Sequence, residues 1–194
     1  MSLTKVQEIV LIGTILGDGY LEKNGCHYRL QVLHSLKQKD YVDWKYKVFQ
    51  QITKTQPRVI GQLKATYRFR TRTNPVFDKF HSLFYPNKVK IIPGAIKKLL
   101  VHPQSLAVWF MDDGKRRPDC GGFYLDTICF SVSDQWLLIK ALENNFGLSQ
   151  LKLHWNGDGY HIYIPAKNKD LFLSLVRKYI IPSMLYKLPL GSLR

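Results

Sequence analysis

Ser105-Leu106-Ala107-Val108-Trp109-Phe110-Met111-Asp112-Asp113-Gly114 is an apolar run that closes on two acids and a glycine. About 95 residues earlier, Leu11-Ile12-Gly13-Thr14-Ile15-Leu16-Gly17-Asp18-Gly19 makes a similar run ending in Asp-Gly. Three further correspondences follow in order at nearly the same offset. Tyr67-Arg68-Phe69-Arg70 falls opposite His161-Ile162-Tyr163-Ile164, two strand-like alternations. Phe77 to Leu83 falls opposite Leu171 to Arg177, two amphipathic stretches, and Lys90-Ile91-Ile92-Pro93 answers Lys187-Leu188-Pro189. The chain is thus read as a duplication, residues 1–99 and 100–194, joined through the proline-marked segment from Phe84 to Pro103.

Each half reads as helix, hairpin, helix, hairpin, helix. Thr4-x-x-Gln7 resembles a capping box, and Ile9, Ile12 and Leu16 follow at the spacing of one helical face. Gly19 is expected to end that helix in a left-handed conformation. Asn24-Gly25 predicts a hairpin turn, after which Tyr28, Leu30 and Val32 alternate with Arg29 and Gln31. Lys39 to Phe49 has a helical rhythm with Tyr41, Trp44 and Val48 apolar. Val59-Ile60 and Tyr67 to Arg72 form the second hairpin. In the second half Tyr124 to Val132 reads as strand and Asp134 to Phe146 as helix. Leu151 to His154 and His161 to Ile164 flank an Asn156-Gly157-Asp158-Gly159 turn.

Composition narrows the function. Hydrophobic residues make up 45% and charged residues 22% of 194, a globular balance that excludes a disordered or collagen-like chain. The longest aliphatic stretch, Ile9 to Leu16, is far below the roughly 20 residues of a membrane span. No signal peptide is read at the N-terminus. Cys26, Cys120 and Cys129 have neither even number nor C-x-x-C spacing, so a disulfide framework or zinc site is not expected. Lys and Arg number 29 against 14 acids, a net charge of +15, with a sequence pI near 9.8. That is the footprint of a nucleic-acid binder. The excess is uneven: residues 1–99 carry 18 basic and 6 acidic side chains, residues 100–194 carry 11 and 8.

An aspartate at a helix C-terminus faces the negative end of the macrodipole, at a cost of a few tenths to about 1 kcal/mol. Finding Asp18 and Asp113 so placed, each after the most apolar helix of its half, argues for a use. Carboxylates and carbonyls suit magnesium, and a bound cation would reverse the local penalty. Two acids and a metal beside a basic surface point to phosphodiester hydrolysis.

These residues resemble the two motifs of the LAGLIDADG homing endonucleases in their single-chain, intron-encoded form. The likeness lies in Gly13 to Gly19, in Leu106 to Gly114, and in the ending Met184-Leu185-Tyr186-Lys187-Leu188-Pro189. The resemblance implies an α+β fold of two pseudo-symmetric αββαββα repeats, whose two antiparallel sheets form a DNA-binding saddle. It implies that Asp18 and Asp113 are catalytic metal-binding acids, with the carbonyls of Gly17 and Asp112 completing the coordination. Magnesium is the expected metal, with manganese or calcium able to occupy the same sites. Lys90 and Lys187 match the family's active-site lysines. Leu16 and Met111 replace an earlier acid position, and Val108 and Asp112 stand where small residues are common. Close helix packing is therefore expected to rest on Gly13, Gly17 and Ala107. Of the neighbours Asp112 and Asp113, the repeat register favours Asp113 as the metal acid.

The residues also define a DNA face. Strict alternation puts Arg68, Arg70 and Arg72 on one side of a strand while Tyr67 and Phe69 face the core. Arginine pairs bidentately with guanine in the major groove. Lys23, Arg29 and Gln31 are expected to make a similar face, with Lys64 beside them. In the second half Lys115, Arg116 and Arg117 follow the motif, and Lys152, His154 and His161 take the later strands. His34 and Ser35 either approach the acids or merely cap. The expected protein is a monomeric intracellular endonuclease, of an organelle or a prokaryotic cytoplasm, acting on a long, weakly symmetric duplex site. Its rivals are a maturase acting on its own intron RNA and a non-catalytic DNA-binding regulator. Neither rival needs both acids and both lysines.

Overall fold

Thr4 caps the first helix reciprocally: its hydroxyl accepts the Gln7 N–H at 3.2 Å, and its own N–H donates to the Gln7 side chain at 3.0 Å. In this computed structural model, which describes residues 2–61 and 65–189, that helix, α1, spans Lys5–Leu16. Strands β1 (Tyr20–Asn24) and β2 (His27–Ser35), helix α2 (Lys39–Phe49), strands β3 (Arg58–Ile60) and β4 (Thr66–Arg70) and helix α3 (Asp78–Phe84) follow. A single helical turn, α4 (Ile96–Leu99), leads to the second series. That series is α5 (Pro103–Asp113), β5 (Gly114–Arg116), β6 (Phe123–Leu125), α6 (Val132–Phe146), β7 (Lys152–Trp155), β8 (Tyr160–Ile164) and α7 (Lys169–Val176). Each series builds one antiparallel four-stranded sheet, in the orders β1-β2-β4-β3 and β5-β6-β8-β7. The architecture is α+β and duplicated, as the repeat predicts. No helix among the described residues is long and apolar enough to cross a membrane.

The two halves meet along α1 and α5, and glycine lets them approach. A methyl group on Gly13 would stand 2.4 Å from the Ser105 carbonyl oxygen and 2.7 Å from Val108 Cβ. One on Gly17 would stand 2.4 Å from Asp112 Cβ. Each glycine of α1 or its cap thus receives the larger residue that α5 carries. The Ser105 hydroxyl donates to the Ile9 carbonyl at 2.7 Å across the same seam. Helices α2, α3, α6 and α7 cover the inner faces of the sheets, where Leu21, Leu30, Phe69, Phe123, Leu125 and Ile162 are buried.

Several local expectations are corrected. Helix α1 ends at Leu16 with Gly17 as its cap, and Gly19 is not among the residues of positive φ. Gly19 is needed for space instead: a Cβ there would lie 2.6 Å from the Thr14 carbonyl oxygen. The strand expected from Tyr124 to Val132 stops at Leu125. Beyond it the chain turns, because the buried Gln135 amide donates to the carbonyls of Thr127 and Phe130, both at 3.0 Å. The β-branched Thr127-Ile128 pair reads as strand, but the amide claims those carbonyls before a ladder can. On α2 the buried stripe is Tyr41, Val42, Lys45 and Phe49, while Trp44 and Val48 are only partly buried. A lysine therefore takes a core position.

Candidate active site

Helices α1 and α5 deliver their acids to one place. Asp113 is the last residue of α5, and Asp18 lies just beyond the α1 cap with its side chain 49% exposed. Two lysines approach from the ends of the two halves. The Lys90 ammonium donates to the Gly17 carbonyl at 2.8 Å, and the Lys187 ammonium donates to the Asp112 carbonyl at 2.8 Å. Lys90 arrives on a segment whose Asn87 and Lys88 both have left-handed φ, 55° and 64°. The Ile91 N–H ties that segment to the Phe84 carbonyl at 2.8 Å. Lys187 ends the 3-10 turn Pro182–Lys187. Burial holds both ammonium groups below the usual lysine range.

Asp112 and Asp113 are separated by their surroundings. The Asp112 carboxylate is fully buried against Gly17 and accepts from the equally buried Lys45 ammonium at 2.8 and 2.9 Å. Lys45 also sits 4.4 Å above the Tyr41 ring, whose hydroxyl donates to the Val108 carbonyl at 3.1 Å. Among the described residues the Asp113 carboxylate has no such partner. Burial, then the neighbouring Asp112 and Asp18 carboxylates, push its carboxyl up to about 8. His34, left open by the sequence, lies at the centre and is 5% exposed. Its Nδ1 is 3.4 Å from Asp18 and its Nε2 is 3.7 Å from Asp112. Burial, reinforced by Lys45, lowers its pKa to about 3, so the ring is neutral near pH 7. Asp18, His34 and Asp112 each offer a ligand atom within 4.8 Å of the others. A crowd of acids only partly neutralised by Lys45 is a donor set that fits a hard divalent cation.

The outer faces of the sheets differ in chemistry. On the first, register places Glu22, Arg29, Gln31, Arg70, Arg68 and Arg58 together. Arg29 pairs with Glu22 at 2.7 Å, and Arg70 reaches Glu22 at 3.1 Å and Gln31 at 2.7 Å. Arg68 has no acid partner among the described residues. Burial, then Arg70 and Arg58, lower its pKa. Arg72 follows β4 and is exposed. Lys23 pairs with Tyr28 in register, so it leaves the Arg29 face and lies on the opposite one, at the exposed hairpin end. Lys64 lies outside the described residues. Arg58 was missed, although it begins a strand whose next two residues were legible.

The second sheet is aromatic. Lys115, Tyr124, Tyr163, Lys152, His154 and His161 share a face by register. The Arg117 guanidinium stands over the rings of Tyr124 and Tyr163 at 5.6 and 5.4 Å and pairs with Asp119. His154 stacks on Tyr163 at 4.3 Å and meets the Tyr124 hydroxyl at 3.1 Å. Two expected DNA-facing residues are placed otherwise. Arg116 pairs with Phe123 and so takes the other face, and His161 is only 3% exposed. In alternating strands an odd-numbered slip exchanges the faces, and neighbouring aromatic rings cover a short histidine.

Paired acids at abutting helix ends, each beside a lysine, between two sheets that present Arg and aromatic faces, define a pseudo-twofold DNA nuclease. The chain belongs to the LAGLIDADG DNA endonuclease family, whose profile matches residues 8–172. Probable intron-encoded endonuclease 1 of Wickerhamomyces canadensis is 34% identical over 200 residues, spanning 96% of this chain and 85% of that protein. The homing endonuclease I-WcaI, solved bound to its DNA recognition sequence, superposes with a TM-score of 0.88 at 34% identity. The match covers 97% of this chain and 88% of that one. Cytochrome b mRNA maturase bI2 of Debaryomyces hansenii is 27% identical over 192 residues, 92% of this chain and 72% of that protein. By family and fold, this protein is a homing endonuclease.

Proposed function

We propose that this chain cuts both strands of a long, weakly symmetric DNA site as a monomer, with magnesium held by Asp18 and Asp113. The observation that carries the reading is the repeated triad of helix-end acid, preceding carbonyl and lysine. It occurs as Asp18, Gly17 and Lys90 and again as Asp113, Asp112 and Lys187. Each carbonyl has a second lone pair, so donation from a lysine leaves an oxygen free to complete a cation's shell. When bound, a divalent cation supplies Lewis acidity to the phosphate and lowers the pKa of an attacking water. Lys90 and Lys187 stabilise the charge that develops on the phosphate, a task suited to buried ammonium groups. The first sheet anchors the duplex through Arg29, Gln31, Arg68, Arg70 and Arg72, with Lys23 at the hairpin end and Lys64 as further candidates for phosphate contact. Lys115, Lys152 and His154 extend the contact on the second sheet.

The test is cleavage of a plasmid library with magnesium, with calcium and with chelator. Double-strand breaks at one sequence, dependent on magnesium, are the expected result. The Debaryomyces relative named a maturase supports a second activity on the chain's own intron RNA. Binding of the intron transcript without magnesium-dependent DNA cleavage would favour that reading instead.

A further inference from the structure

We propose that the side chains of Lys45, Asp112 and His34 form a buried positioning network that favours the Asp18 end of the centre, so that the two strand cuts depend on it unequally. The inference rests on the endonuclease reading above and concerns how its two halves differ. Lys45 belongs to α2 in the first half, yet its ammonium crosses the seam to the Asp112 carboxylate of the second motif. Both side chains are fully buried. A buried ion pair is a poor source of stability, because desolvating both charges offsets their attraction. What the pair does supply is a fixed carboxylate beside Asp18. That carboxylate accepts the Asp18 backbone N–H at 3.4 Å. The His34 ring fills the remaining gap, with Nδ1 toward the Asp18 carboxylate and Nε2 toward Asp112. Its Nε2 is buried and has no hydrogen-bond partner among the described residues, so packing, the Gln38 side chain that hydrogen-bonds the ring, and electrostatics hold it between the two acids.

Among the described residues the second half has no equivalent. The first motif offers Gly17 where the second has Asp112, so there is no side chain for a lysine from α6 to meet. The residues that α6 buries are Gln135, Leu138, Ile139, Ala141, Leu142 and Phe146, none of them charged. Strand register gives the counterpart of His34. Gln31 lies opposite Tyr20 and Tyr124 opposite Lys115, and three residues on from each come His34 and Thr127. The Thr127 hydroxyl is turned away to Gln135 at 3.1 Å. Asp18, exposed and past its helix end, is therefore held by a charged buried scaffold, whereas Asp113 is held by its place in α5 and by burial.

The test uses the full chain and a target duplex labelled differently on its two strands, with wild type, His34→Leu, His34→Asn and Lys45→Met. In His34→Leu one strand should be cut about tenfold or more slowly than the other, the range seen when partners of metal ligands are removed. Nicked circle should accumulate from a supercoiled plasmid. His34→Asn, whose amide stands where Nδ1 stood, should keep the wild-type strand ratio, a rescue that a merely space-filling role would not give. Lys45→Met should show a bias of the same sign but smaller, because Asp112 also lends its carbonyl and its charge to the Asp113 side. Since it leaves Asp112 buried and unpaired it will melt lower, and if it does not fold, His34→Leu decides. A structure of metal-free His34→Leu is the readout independent of cleavage, and should show the Asp18 carboxylate displaced while Asp113 stays. Equal slowing of both strands, or an unmoved Asp18, overturns the network while leaving the endonuclease reading intact. A wild-type protein that cuts neither strand of any target overturns that reading and the network with it.

Discussion

The Lys90 ammonium donates to the Gly17 carbonyl at 2.8 Å, and 95 residues along the chain the Asp112 carbonyl receives Lys187 at the same distance. Two lysines on segments of different build, one left-handed and one a 3-10 turn, reach the same atom of the two motifs. Lys90→Met and Lys187→Met are each expected to slow cleavage by about a hundredfold, the loss typical of removing one charge-stabilising donor, while leaving DNA affinity almost intact. Single-turnover rates beside binding isotherms check this. A variant with wild-type rate and a reduced salt slope would make that lysine a phosphate anchor.

Asp18→Asn and Asp113→Asn should each abolish double-strand cleavage with DNA binding retained, since the acids face the centre and the phosphate contacts lie on the sheets. Folding should not suffer, because each acid stands at the negative end of a helix, Asp113 as the last residue of α5 and Asp18 just beyond α1. Cleavage assays with gel-shift controls and thermal melts provide the comparison. Normal cutting by either variant removes that residue from the centre.

The repeat made the fold legible, because duplicated apolar helices ending in acid recur at one offset and strand alternation survives in Tyr67 to Arg70. The acids and lysines were legible for the same reason. Lys45 was not: at four-residue spacing between Tyr41 and Phe49 it occupies the buried stripe, but a lysine there reads as solvated until Asp112 is seen across the seam. Faces failed where register decides them. Lys23 and Arg116 sit at strand ends, and only their partners Tyr28 and Phe123 reveal which side they take. The chain after Leu125 was misread because a single distant amide, Gln135, turns a β-branched run.

Gly13→Ala should destabilise the protein by about 1–3 kcal/mol, the usual range for overpacking. Alanine is intrinsically the better helix former by about 1 kcal/mol, so the sign depends on the clash with Ser105 and Val108. That clash is with backbone oxygen and a β-carbon, neither of which can swing aside. Urea unfolding measures the difference, and a stabilised variant would show that α1 and α5 lie further apart.

Stability of the metal-free protein should fall as pH rises from about 4 to about 8. Asp113 is raised to about 8 by burial, Asp112 and Asp18, so over that window the native state holds a proton that the unfolded chain has released. Its contribution is full at acid pH and is lost as pH passes the native value. Asp113→Asn should flatten this part of the profile, and a divalent cation should reverse it by favouring the ionised form. Melting temperature against pH, with chelator and with calcium, is the measurement. An identical slope in Asp113→Asn would assign the pH dependence to other groups.

The unequal charge of the halves should appear in the salt dependence of DNA binding. Residues 1–99 carry a net charge of +12 and residues 100–194 a net of +3. On the first sheet Arg68 lacks an acid partner among the described residues and Arg72 is exposed, whereas on the second Arg117 is already paired with Asp119 and His161 is buried. Each phosphate contact removed should lower the slope of log K against log salt by about 0.9. Replacing Arg68, Arg70 and Arg72 together should therefore flatten the slope by two to three such steps, on the order of 2 to 3 in all. Replacing Lys152 and His154 should change it by about one step at most, because neutral His154 is engaged with Tyr124 and Tyr163 and releases no counterion. Binding titrations across salt on intact and half-site duplexes separate the two sheets. Equal slopes for both half-sites would show that the second sheet finds its phosphates by other means, and that net charge does not mark the anchoring half.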